Sequence, residues 1–119
     1  MTVGPYSPWR RAGDLVIISG QLGLLVDREV RAMADGGAVG QLRQALANAA
    51  RVLEEAGATL DQVVKATLFL VSMDDFDACN EVWVETFSVP RPTRSAVAVA
   101  ELPLGARVEV ELWAHAPAH

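Results

Sequence analysis

Residues 63–87 read VVKATLFLVSMDDFDACNEVWVETF. The first nine, 63–71, alternate and are rich in β-branched and apolar side chains, which predicts a strand. On it Val64, Ala66, Leu68 and Leu70 point one way, and Lys65, Thr67 and Phe69 point the other. The period then changes. From Met73 to Phe87 the residues Phe76, Asn80, Trp83 and Phe87 recur at three and four, with Cys79 beside them, which predicts a helix. Asp74 is the expected N-cap, and Asp77 lies three positions on, beside the positive end of the helix.

The same pattern extends upstream. In residues 39–56, Val39, Leu42, Leu46, Ala49 and Leu53 form an apolar stripe, and Gly57 is the expected C-terminal cap. Before it, "DREVRAMADGGAVG" (27–40) reads as a loop. "DLVIISG" (14–20) reads as a strand, with "GPYSPWRR" as its hairpin partner and "AGD" as the turn. The two prolines place that partner at a sheet edge.

Downstream, two strands close the chain. In "TRSAVAVA", Ser95, Val97 and Val99 share one face, and Arg94, Ala96, Ala98 and Ala100 share the other. In "ARVEVELWA", Val108, Val110 and Leu112 oppose Arg107, Glu109, Glu111 and Trp113, with "ELPLGA" as the turn between the strands. The order β(β)–α–β–α–β–β over a single domain, residues 1–119, lets two helices cover one face of a sheet of about four to six strands. The second face is expected to carry Lys65, Thr67, Phe69, Arg94, Ala96, Glu109, Glu111 and Trp113. It is too apolar for plain surface and too charged for plain core. A second layer from another copy of the chain would cover it, with polar sites trapped between copies.

The 119 residues are 51% hydrophobic and 21% charged, a folding composition. A net charge of −5 repels phosphate backbones and argues against nucleic-acid binding. The single cysteine, Cys79, excludes an intrachain disulfide and fits a reducing compartment. "MTVGPYSPWRRAGD" lacks the pattern of a secretory signal, and no apolar run approaches the roughly 20 residues that span a bilayer. The expectation is a cytoplasmic protein without a membrane partner.

Arg94 and Glu109 are the residues most suited to chemistry. An arginine fork grips a carboxylate through two parallel hydrogen bonds, and Ala96 and Ala98 leave room beside it. A carboxylate such as Glu109 can position water or move a proton. Together they suit a small anionic substrate attacked by water. A structural ion pair of Arg94 with Glu109 or Glu111 is the commoner outcome from spacing alone, and it stands beside the catalytic reading. His115 and His119 have no companion cysteine or carboxylate cluster, so no metal site is expected. Cys79 reads as a small buried residue, Ser19 and Ser95 belong to no Ser–His–acid set, and "SGQLG" is not a phosphate loop. Trp83 and Phe87 read as core.

Four stretches, in order and spacing, carry a resemblance: "GPYS" (4–7), "DLVIISGQL" (14–22), "VVKATLFLVSMDDFDACNEVW" (63–83) and "RPTRSAVAVAELPLGARVEVE" (91–111). Through them the chain resembles the Rid family, also called YjgF-like or reactive intermediate/imine deaminases, over nearly its whole length. The resemblance implies an α+β, chorismate-mutase-like fold with a mixed sheet, and a homotrimer whose sheets form a central barrel with clefts between subunits. It implies hydrolysis of enamines and imines such as 2-aminoacrylate to 2-oxo acids and ammonia, without a metal or organic cofactor. In that resemblance Arg94 matches the arginine that grips the substrate carboxylate, and Glu109 the acid near the attacking water. Tyr6 matches the tyrosine of Gly-Pro-Tyr, Ser19 and Gly20 the serine–glycine at a strand end, and Asn80 the helix asparagine.

Some residues depart from the pattern. Many members have cysteine where this chain has Ala96, which excludes thiol chemistry there but leaves backbone contacts to substrate. No proline follows Ser-Gly-Gln, and the 27–40 loop is atypical. Two other functions remain open. One is a non-catalytic trimeric module that binds a small metabolite. The other is an endoribonuclease, against which the acidic charge counts.

Overall fold

The computed structural model describes residues 4–26 and 31–118. Strands β1 (Trp9–Ala12) and β2 (Leu15–Ile18) form the expected hairpin, with Ala12 opposite Leu15 across the turn. A short strand β3 (Gln21–Leu22) follows. Helix α1 (Gly37–Glu55) starts two residues before the predicted stripe. Past its end at Glu55 comes Gly57, whose φ of +83° is open to glycine without strain and whose N–H donates to the Glu54 carbonyl. Strand β4 (Val63–Leu70), helix α2 (Phe76–Thr86), strand β5 (Thr93–Ala98) and strand β6 (Val108–His115) complete the chain.

The strands lie in the order β1-β2-β6-β4-β5, with β3 also paired to β6. The sheet is mixed: β4 and β5 run parallel, and the other pairs are antiparallel. Parallel neighbours need a crossover, and α2 supplies it. Both helices pack on one face. Leu42, Leu46, Ala49 and Leu53 of α1 meet Val82 and Trp83 of α2 and the inward residues Leu68, Leu70, Val108, Val110 and Leu112. Each fully buried aliphatic side chain contributes roughly 1.5–3 kcal/mol.

The described part of the 27–40 segment is more ordered than a plain loop. Leu25 N–H donates to the Ala32 carbonyl and Ala34 N–H to the Gly23 carbonyl, each at 2.8 Å, so residues 32–34 fold back on 23–25. Asn48, buried on α1, fastens this region. Its Nδ2 donates to the carbonyls of Leu22 (3.0 Å) and Leu24 (2.8 Å), and its Oδ1 accepts from Gln44 and Arg51.

Three local expectations are corrected. Val64 does not join the core face of β4: the register against β6 shifts between Val63 and Lys65, so Val63 is buried and Val64 is 46% exposed. A bulge inserts one residue and reverses the alternation there. Asp74 is not the N-cap. A 3₁₀ turn, Met73–Asp75, precedes α2, and Ser72 Oγ accepts from Asp74 N–H at 3.1 Å. Finally, Arg94 and Ala96 do not lie on the sheet face away from the helices. In the parallel register Arg94 pairs with Ala66 and Ala96 with Leu68, and both of those partners are core. Paired residues point to the same side, so Ser95 and Val97 take the open face instead.

Candidate active site

Arg94 leaves β5 toward α2. Its guanidinium Cζ lies over the Trp83 ring at 5.0 Å and over the Phe76 ring at 5.6 Å from the centroids. Each such contact contributes about 0.5–2 kcal/mol, depending on how far the cation is desolvated. The ion pairs among the described residues are Arg43–Glu85 and Arg107–Asp75. The structural ion pair between Arg94 and Glu109 or Glu111 is therefore not formed within the chain. Burial lowers the Arg94 pKa, and the neighbouring Cys79 acts in the opposite direction. Arg94 still remains a cation at any ordinary pH. Ala96 is half-buried against the core two residues on, and Asn80 lies on α2 between Phe76 and Trp83.

Glu109 belongs to a second group on the other side of the sheet. It pairs with Phe69 of β4 and alternates with the buried Val108 and Val110, so its carboxylate faces away from the helices. Beside it the chain between β2 and β3 carries one extra residue relative to β6, at Ser19–Gly20. The bulge brings Gly20 against the acid: a Cβ on Gly20 would lie 1.9 Å from Glu109 Oε2. Only glycine allows this approach. Ser19 Oγ donates to the Ser7 carbonyl at 2.7 Å, and Ser19 N–H to the Pro8 carbonyl at 2.9 Å. These bonds tie the Tyr6 segment to the bulge. Tyr6 is itself 45% exposed, with its ring over Gly4. Burial pushes the Glu109 carboxyl above the usual carboxylate range, and Glu111 raises it further.

The sequence residues thus fall into two groups: Arg94, Ala96 and Asn80 on the helix side, and Glu109, Gly20, Ser19 and Tyr6 on the other. The expectation that Arg94 and Glu109 share a face of one chain is corrected. Sequence reasoning also missed Phe76 and Trp83 as the surface under Arg94, because an aromatic at helical spacing next to a core reads as core. The signal was the stripe Phe76–Asn80–Trp83 itself, together with a β5 that must run parallel to β4.

Other candidates carry less. A cleft of about 330 Å³ is lined by residues including Asp61, Phe87, Val89 and Pro90, and contains none of the predicted site residues. Cys79 is fully buried; burial raises its thiol pKa, Asp75 adds to the rise, and Arg107 and Arg94 oppose it. His115 is exposed at the end of β6, and His119 lies outside the described residues. Among the described residues no three His, Cys, Asp or Glu side chains converge on a metal-sized site, and no helix is long and apolar enough to cross a membrane.

The family model described as Endoribonuclease L-PSP matches residues 1–116. The chain belongs to this family. It is 42% identical over 109 residues to the 2-iminobutanoate/2-iminopropanoate deaminase of Dermatophagoides farinae, covering 92% of this chain and 84% of that one. Among solved structures it is similar to RidA from an Antarctic Psychrobacter, with a TM-score of 0.89 at 40% identity over 97% of this chain and 91% of that one. It is also similar to yeast Mmf1, with a TM-score of 0.89 at 31% identity over 97% of this chain and 90% of that one. The α+β fold with a mixed sheet and two helices is common ground with these neighbours.

Proposed function

We propose that this Rid-family chain hydrolyses small imines and enamines that carry a carboxylate, releasing 2-oxo acids and ammonia, in a cleft between copies of the chain. The observation that carries this reading is the separation of two charges, Arg94 and Glu109, on opposite faces of the sheet. Arg94 holds a cation on one face of the sheet and Glu109 a carboxylate on the other, and neither has an ion-pair partner among the described residues. One chain cannot bring them to one small molecule. Two copies can, if the open face of one covers the Arg94 edge of the next, and a closed homotrimer satisfies this for every copy. The half-buried apolar residues of the open face, Phe69 and Trp113 among them, favour such a cover. Relatives named imine deaminase at about 40% identity support the chemistry.

In this reading Arg94 fixes the substrate carboxylate through its fork. An enamine first takes a proton at carbon and gives one up from nitrogen, becoming the imine. Glu109, from the neighbouring copy, holds a water against the imine carbon and accepts its proton as the C–O bond forms. The proton passes to nitrogen to give the carbinolamine; the new hydroxyl then yields its proton to the nitrogen as the C=O bond forms and the C–N bond breaks, and ammonia leaves the 2-oxo acid. Tyr6, Ser19 and Gly20 shape the water side of the cleft. Asn80 and the backbone at Ala96 complete the carboxylate side. The uncatalysed reaction is already feasible, so positioning and modest acid–base help suffice.

The test is ammonia and 2-oxo acid release from freshly generated 2-aminoacrylate, parent beside Arg94→Ala, with the mass of the assembly measured by light scattering. Acceleration by an oligomeric parent that is lost in the variant supports the reading. A well-folded parent that accelerates nothing overturns it in favour of a metabolite-binding module.

A further inference from the structure

We infer that Phe76 and Trp83 are positioning residues that hold the Arg94 guanidinium between two ring faces and leave its fork open to a carboxylate. The inference rests on the imine-hydrolysis reading for its substrate, but the platform itself is independent of it. A half-buried arginine ordinarily recruits a carboxylate from its own chain. Here Asp75, at the start of α2, is committed to Arg107, whose Nη2 donates to both of its oxygens at 2.9 and 3.1 Å. Arg94 instead meets two aromatic rings. An internal carboxylate would neutralise the cation and fill the fork. A ring attracts the cation through its quadrupole and neutralises none of its charge.

The geometry is built into α2. Phe76 and Trp83 stand two turns apart on one stripe of the helix. Trp83 is braced from behind by Phe87, with ring centroids 4.8 Å apart and planes tilted by 44°. Trp83 is buried and Phe76 is half-buried, so one ring is fixed in the core and the other closes over the cation from the surface. Ala96, the next residue on that face of β5, adds no bulk to displace the guanidinium.

The experiment uses the full chain with ¹⁵N-labelled arginine. The Nε–Hε signal of Arg94 is assigned by its loss in Arg94→Lys, then followed in Phe76→Leu, Phe76→Tyr and Trp83→Phe. The expected result is a ring-current-shifted signal in the parent that moves toward the ordinary arginine position in Phe76→Leu and is retained in Phe76→Tyr. In parallel, the affinity for 2-oxobutanoate should fall about fivefold in Phe76→Leu, with KM rising by the same factor, kcat nearly unchanged, and both restored in Phe76→Tyr. An unshifted parent signal, or one that Phe76→Leu leaves in place, overturns the platform. A moved signal with unchanged 2-oxobutanoate affinity overturns its positioning role. A parent that neither binds 2-oxobutanoate nor turns over an imine defeats the imine-hydrolysis reading instead, and the arginine signal still decides the platform.

Discussion

Arg94 and Glu109 stand on opposite faces of the same sheet. Arg94 pairs with the core residue Ala66 and turns toward the helices, whereas Glu109 pairs with Phe69 and turns away from them. Neither has an ion-pair partner among the described residues. Two charges left open on opposite surfaces are a liability in a lone monomer and an asset in a ring of copies.

Arg94→Lys keeps the positive charge and loses the fork. A charge-assisted hydrogen bond contributes about 1.5–3 kcal/mol, so losing bidentate geometry should lower kcat/KM for imine hydrolysis by roughly 10- to 100-fold. Steady-state kinetics beside Arg94→Ala checks this. A lysine variant with parental kcat/KM would show that charge alone suffices.

Gly20→Ala places a methyl group where the Glu109 carboxylate lies, 1.9 Å from Oε2. The glutamate is flexible and can swing aside, so the fold should survive with an unfolding midpoint close to the parent's. Turnover should not survive if Glu109 holds the attacking water as proposed, because the carboxylate is then displaced. Melting and kcat measured on one preparation separate the two effects.

Glu109 makes stability depend on pH with a definite sign. Its folded-state pKa is raised, so between the ordinary carboxylate value and the raised one the folded chain binds more protons than the unfolded chain. Stability is therefore full below the ordinary value, falls as pH rises through the raised value, and is level above it. Glu109→Gln should abolish this decline, making the variant relatively more stable at neutral pH than at acid pH. It should also lower turnover by roughly 10²- to 10⁴-fold, the usual contribution of a positioned acid–base group. Denaturant titrations across the acid range test the first part and kinetics the second.

Asn48→Ala removes both side-chain bonds to the carbonyls of Leu22 and Leu24 and leaves those acceptors without that donor. The expected cost is roughly 1–3 kcal/mol by chemical denaturation. Because Leu22 is the register partner of Glu109, loosening β3 should also lower kcat more than it raises KM.

Much of the fold is legible in particular residues. The Leu42–Leu46–Ala49–Leu53 stripe names α1 and its buried face, and the alternation through Ala66, Leu68 and Leu70 names β4. The misreadings are local. Val64 alternates correctly on paper, and only a bulge at the sheet junction shows that Val63 is the buried residue. Asp74 is a good cap by type, yet Ser72 reaches its N–H first. Arg94 and Glu109 were visible as chemistry because charges on strands otherwise predicted as half-buried are uncommon.

Sequence alone thus determined the helices and every strand but β3, their order and the residue types available for chemistry, because these follow from periodicities of 3.6 and 2 and from the chemistry of each side chain. Which face each strand shows to the helices was a tertiary decision. Alternation divides β5 into two sets but does not say which set points inward; only its parallel pairing with β4 sends Arg94 to the rings of α2. The approach of Gly20 to Glu109 was equally hidden, since it arises from one extra residue between two strands that pair with β6 from distant points in the chain.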